Sequence, residues 1–193
     1  GLLDILEKLH STFDGKFLIT SSVKREVVDT PMRIKQFELG AVRIAELIEK
    51  KILEFPESMG ISEAELAQET RDITDQANHF LKAEGYWINL VSEAEMSCFA
   101  LAHALKKRNV ESMIAMDERT ARMLSEKPEN LEKLMSQKLH KSGMQARPSL
   151  ALQGYKIIRS TELAYIAFKK GLIQIKDPHV LEALLYATKF KGS

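Results

Sequence analysis

The sequence predicts an α/β fold: a mostly parallel central sheet flanked by helices, with one helical insertion. Three observations predict it. Short apolar runs such as "KFLIT", "YWINLV", "VESMIAM" and "YKIIRS" alternate with longer stretches of helical period. Most of those stretches open on a Ser, Thr or Asp that suits a helix cap. The alternation of strand and helix favours parallel pairing with right-handed crossovers, which puts the strand ends at one edge.

Taken in order, residues 1–12 read as a helix with Leu2, Leu3, Ile5, Leu6 and Leu9 apolar, broken at "FDG". "KFLIT" is a strand bounded by Gly15 and the Ser21–Ser22 pair, either of which caps the next helix. Pro31 ends that helix or marks a new start, and "MRIKQFELGAVRIAELIEKKIL" is a long amphipathic helix. "FPESMG" is a loop. Ser62 and Glu65 have capping-box spacing at the head of a helix that Gly85 closes. "YWINLV" is extended. Ser92 caps "EAEMSCFALAHALKKR", whose basic end suits the helix dipole. "VESMIAM" is a strand, and a short helix follows Asp117 up to Leu124.

Residues 126–150 are polar and contain Pro128, Gly143 and Pro148; they read as a helical insertion with a mobile stretch from about residue 141. "YKIIRS" runs into a helix capped by Ser160 or Thr161. The last helix has Asp177 as cap and Pro178 in its first turn. No internal repeat is present, and residues 1–193 read as one domain.

Composition narrows the function. A formal charge of +1 gives no global pull on nucleic acid, so any such binding needs a local basic patch. One cysteine, Cys98, excludes an internal disulfide and reads as core packing, and five scattered histidines with no HExxH pair argue against zinc. No apolar run reaches the roughly 18 residues that span a bilayer. No secretory signal pattern opens the sequence, so a cytoplasmic location with no membrane partner is the expectation.

Three acidic positions share one topological place. Glu26 follows "FLIT", Glu93 (with Glu95 nearby) follows "WINL", and Asp117 with Glu118 follows "SMIAM". On parallel neighbouring strands these carboxylates would converge. Clustered carboxylates repel unless a cation or protons neutralise them, and oxygen ligands suit Mg²⁺ or Mn²⁺. The same residues taken singly suit helix N-termini, where the dipole favours acids, and Glu95 reads as capping or surface. Trp87 reads as core, and no aromatic stacking platform stands out.

At this point the chain resembles the PIN-domain family of small α/β ribonucleases. "FLITSSVKREV" looks like that family's second strand and helix, reaching Glu26. "LVSEAEMSCFALAHAL" with "SMIAMDERTARML" looks like its acidic helix start, Ala-rich helix, strand and Asp turn, with Glu93 and Asp117. "IIRSTELAYIAFKKGLI" looks like its last strand and helix. The match covers residues 1–125 and 155–190 in order. The family's first strand, with its first catalytic Asp, is not found; Asp4 lies in a helix and is a poor substitute. Either an N-terminal segment is absent from this chain or the protein is a degenerate member.

The resemblance implies metal-dependent hydrolysis of RNA phosphodiesters, with Glu26, Glu93 and Asp117 catalytic. These three and Glu118 would hold Mg²⁺ or Mn²⁺. Ser160, Thr161, Arg119, Arg122, Lys24 and Arg25 would contact RNA or orient a ligand, with capping or solvated surface as their ordinary roles. The lysines of 126–150, with Arg147 and Gly143, read as a solvated helix or a substrate flap. Family members often form homodimers. The alternative is an impaired PIN-like scaffold that binds RNA or protein. A further reading is a helical interaction protein, in which helix 32–52 and the Met-containing segment 113–144 pack against a partner; an exposed apolar stripe there would favour it.

Overall fold

The computed structural model describes residues 2–139, 145–146, 152–175 and 177–189. Helices dominate, with a few short strands between them, so the α/β character expected of the chain is present. Internal contacts divide it into two compact units, residues 1–60 with 158–193 and residues 61–157. Among the described residues the strands form three small sets rather than one continuous sheet.

In the first unit, α1 (Leu2–His10) precedes β1 (Phe17–Leu18), which pairs in parallel with β2 (Leu53–Glu54). The sequence reading carried a helix as far as Leu53, the first residue of this second strand. Instead α3 (Lys35–Glu49) stops at Lys50, and Lys51 takes a positive φ of 56° that turns the chain into β2. The long helix also starts later than expected, because Ile34 is extended (φ −118°, ψ 109°) and separates α3 from a short 3₁₀ turn at Pro31–Arg33. Thr20, not Ser21 or Ser22, caps α2 (Ser21–Lys24): its hydroxyl accepts from the Val23 amide at 3.2 Å. The helix then widens into a π turn over Arg25–Asp29.

The chain returns to this unit with α8 (Ser160–Lys169) and α9 (Val180–Lys189). The cap position of α8 is Arg159 rather than Ser160 or Thr161, and the Glu162 carboxylate accepts from its amide at 2.8 Å. Asp177 and Pro178, expected as cap and first helical residue, stand ahead of the helix: the Asp177 carboxylate accepts from His179 N at 2.7 Å and closes a local turn. Helix α9 begins at Val180, past Pro178. The core gathers Leu9, Ile19, Val28, Ala41, Leu47, Ala164 and Ala167.

The second unit is built on α4 (Glu63–Asn78) and α5 (Glu93–Lys107). Ser62 caps α4 by accepting from Glu65 N at 3.2 Å. The sequence reading carried α4 on to Gly85, but it ends at Asn78. There follows a hairpin, β3 (Leu81–Ala83) against β4 (Tyr86–Trp87), closed by Glu84 and Gly85 with φ of 51° and 88°. Two positive φ values at the central residues are what a tight hairpin turn requires. Residues 145–146, expected within a mobile stretch, form β6 and pair antiparallel with Leu81 and Lys82. Residues 140–144 and 147–151, with Gly143, Arg147 and Pro148, lie outside the described residues.

Of the insertion, α7 (Leu131–Leu139) is helical as expected. In β5 (Ile114–Ala115) the alternation puts Ile114 and Met116 inside and Met113 and Ala115 outside. Ile114 N donates to the Lys156 carbonyl at 2.9 Å, just ahead of β7 (Ile157–Ile158), the strand that pairs with β5. Helix α6 (Arg119–Glu126) follows β5. The core of this unit centres on Phe99, Met96, Ala100, Ile61, Leu81, Leu124 and Leu131. Trp87 is half-buried, with the Lys82 ammonium 5.3 Å from its ring centroid and the His79 ring at 5.2 Å.

Helices α4 and α5 are tied by a two-pronged ion pair, in which Arg108 Nη1 and Nη2 each reach a Glu65 oxygen at 3.0 Å. Arg108 holds the Glu65 carboxyl below its ordinary value. A carboxylate whose folded pKa is depressed stabilises fully above the unfolded value, and that contribution is lost as pH falls through the folded one. Melting temperature is therefore expected to drop on acidification through the carboxylate range. Glu65→Gln is expected to start lower and to show a shallower drop, read from thermal melts across that range.

Candidate functional site

The sequence-predicted site residues fall into two groups. Lys24, Arg25, Glu26, Ser160 and Thr161 belong to the first unit; Glu93, Asp117, Glu118, Arg119 and Arg122 belong to the second. In the first unit Glu26 is exposed near the start of the π turn. Lys24, expected beside RNA phosphate, has its ammonium 2.6 Å from Asp29 Oδ1, so a phosphate would compete with an ion pair already made. Ser160 and Thr161 open α8 and are half-buried.

In the second unit Glu93 is exposed at the first position of α5. The cap that places it is local: Ser92 Oγ accepts from Glu95 N at 3.2 Å, and Glu95 Oε2 accepts from Ser92 N at 2.8 Å. Glu95 is thus a capping residue, as read from the sequence. A longer-range contact sets the segment before it. Asn78, at the end of α4, accepts through Oδ1 from Leu90 N at 2.7 Å and from Val91 N at 3.2 Å. This positioning residue was not legible in the sequence. An Asn at a helix end is a local signal, but partners 12 and 13 residues away are not.

Asp117 is half-buried in the turn between β5 and α6. Glu118, expected to join a metal site, gives its Oε2 to Ala121 N at 2.6 Å and so caps α6. Glu118, Arg119 and Thr120 line an open cleft of about 350 Å³ together with Leu134 and Gln137 of α7. Among the described residues, the insertion contributes an apolar and an amide side chain here. Arg122 reaches Glu126 only at 3.8 Å, and neither its buried Nε nor the buried Ser125 Oγ has a hydrogen-bond partner among the described residues.

A second cluster joins α4, α5 and the segment before β7. Tyr155 Oη lies 2.8 Å from His103 Nδ1, and His103 Nε2 lies 3.6 Å from Glu69, which Lys107 also contacts at 3.1 Å. Burial, and then the Glu69 charge, push the Tyr155 phenol up.

Among the described residues no group of three or more His, Cys, Asp and Glu side chains is gathered as a metal ion would need. The acids in these positions therefore do not make a ready cage. No helix among the described residues is long and apolar enough to cross a membrane. No protein-family model matches the chain, and neither a curated protein nor a solved structure matches it significantly.

Proposed function

We propose that the chain is a PIN-type endoribonuclease that uses Mg²⁺ or Mn²⁺. Glu93 and Asp117, both of the second unit, are two of its carboxylates. The observation that carries the reading is the Asp117–Glu118–Arg119 turn. It puts a half-buried carboxylate directly after a strand, and an exposed guanidinium beside an open cleft. Glu93 stands exposed at the head of α5, behind a closed capping box. Arg119 and Arg122 on α6 are the RNA-phosphate contacts of this reading.

The test is Mn²⁺ titration calorimetry on the parent and on Glu93→Gln, Asp117→Asn, followed by a single-stranded RNA cleavage assay. The nuclease reading expects a binding isotherm and cleavage from the parent, and loss of both in the double variant. Absence of both from the parent overturns it.

The second reading, an impaired scaffold, is favoured by one observation. Met32, Ile34, Phe37, Leu39 and Val42 are all exposed on the stretch that leads into and forms α3. Under that reading RNA binds equally to parent and double variant, and neither cleaves.

A further inference from the structure

We infer that Tyr155 is a nucleophile that takes an acyl group from an activated carboxylic ester, with His103 as its general base and Glu69 as the residue that positions that base. The three come from different parts of one unit: Glu69 from α4, His103 from α5 and Tyr155 from the segment ahead of β7. Tyr155 Oη lies 2.8 Å from His103 Nδ1, and the other ring nitrogen faces Glu69 Oε1 at 3.6 Å. Lys107 holds the remaining Glu69 oxygen at 3.1 Å. A hydroxyl on a base, with the base turned toward a third group, is the arrangement that activates a weak nucleophile. The 3.6 Å separation is looser than a hydrogen bond, as such contacts often are before a ligand is bound. The carboxylate favours a ring proton on Nε2, the nitrogen it faces, which leaves the Nδ1 lone pair for the Tyr155 hydroxyl.

The surroundings suit acyl chemistry. The Tyr155 ring is set by the edge of Phe99 and by the Lys106 ammonium, 5.8 Å from the ring centroid. Burial and the Glu69 charge push the phenol up, so it keeps its proton until His103 takes it. His103 keeps 35% of its side-chain surface exposed and Tyr155 is half-buried, so a small ester reaches the cluster. In the first step Tyr155 Oη bonds to the ester carbonyl carbon as its proton passes to His103 Nδ1. Lys106 supplies positive charge for the oxyanion that forms. The bond from that carbon to the departing oxygen then breaks, and the imidazolium gives its proton to the departing oxygen. Water repeats the sequence: His103 takes its proton, its oxygen bonds to the acyl carbon, and Tyr155 leaves with the proton. Neither Glu93 nor Asp117 takes part, so the inference stands apart from the nuclease reading.

Reaction of the full chain with p-nitrophenyl acetate tests the inference, followed by the release of p-nitrophenolate and by peptide mapping for an acetyl group on Tyr155. Circular dichroism melts confirm that each variant folds. The parent is expected to give a burst of p-nitrophenolate and then slower turnover, with the acetyl group on Tyr155 during the burst. Tyr155→Phe keeps the ring and is expected to lose the burst. His103→Gln separates chemistry from structure: its amide oxygen still accepts from the Tyr155 hydroxyl but takes no proton, so acylation is expected to slow about 100-fold or more. Glu69→Gln is expected to lower the maximal acylation rate and to leave the half-saturating ester concentration unchanged, because Glu69 faces the base and not the ester. A parent with no burst, a burst without acetyl on Tyr155, a His103→Gln variant that acylates Tyr155 as fast as the parent, or a Glu69→Gln variant altered only in half-saturation would each overturn the inference.

Discussion

Phe99→Ala is expected to destabilise the second unit by about 3–5 kcal/mol, a large fraction of the stability of an ordinary domain. Phe99 is fully buried, and so are Met96 and Ala100 on the same helix. Its ring meets Tyr155 edge-on, with centroids 5.7 Å apart and planes at 79°. Truncation removes a large apolar side chain from a close-packed interior and leaves a void that α5 can only partly close. The loss also undercuts Tyr155, whose hydroxyl links to His103 on α5. The single Trp87 lies in this unit, so its fluorescence follows the unit's unfolding in denaturant. Phe99→Leu keeps most of the volume and is expected to lose much less. An alanine variant with an unchanged midpoint would show that the α5 core does not carry the unit.

Asn78→Ala is expected to cost about 2–3 kcal/mol, far more than its half-buried position suggests. One side-chain oxygen serves two backbone amides, those of Leu90 and Val91, and Leu90 is itself buried. Removing it leaves two donors without their acceptor at a place water reaches poorly, and each such loss costs about 1–3 kcal/mol before relaxation. Asn78→Asp keeps the acceptor oxygen, but it sets a second oxygen where Nδ2 faced the Val91 carbonyl and adds a negative charge at the C-terminal end of α4. The aspartate variant is therefore expected to recover part of the loss. The same Trp87 melt reads both variants. An alanine variant that melts like the parent would show that the bonds to the 90–91 segment do not hold it. Because that segment runs directly into Ser92 and Glu93, the same comparison reports how the candidate carboxylate at the head of α5 is held.

The contrast between Asn78 and Ser92 shows what was legible. Ser92 and Glu95 form their cap with each other, three residues apart, so residue identity and spacing sufficed. Ser62 follows the same logic. Where two local candidates competed, the sequence could not choose: Thr20 caps α2 beside the equally suitable Ser21 and Ser22, and Arg159 stands where Ser160 or Thr161 was expected. The candidate acids behave likewise. Glu118 has the chemistry of a ligand and the position of a cap, and only the 2.6 Å bond to Ala121 N shows that one of its oxygens is committed to the helix.

By itself the sequence determined that helices alternate with short strands, where several of the helices begin, and that acids stand at helix starts after short apolar runs. These features rest on contacts within four or so residues, or on a period that repeats along one helix. The tertiary structure decided the rest. Two-residue strands such as Leu53–Glu54 and Gln145–Ala146 carry no period of their own and exist only because a distant partner completes their hydrogen bonds. The apolar residues of α3 divide into a buried Ala41 and Leu47 and an exposed Leu39 and Val42. Amphipathic spacing marks all of these as apolar helix positions. Which of them meets the core is set by the neighbours that pack against the helix, and those neighbours come from elsewhere in the chain.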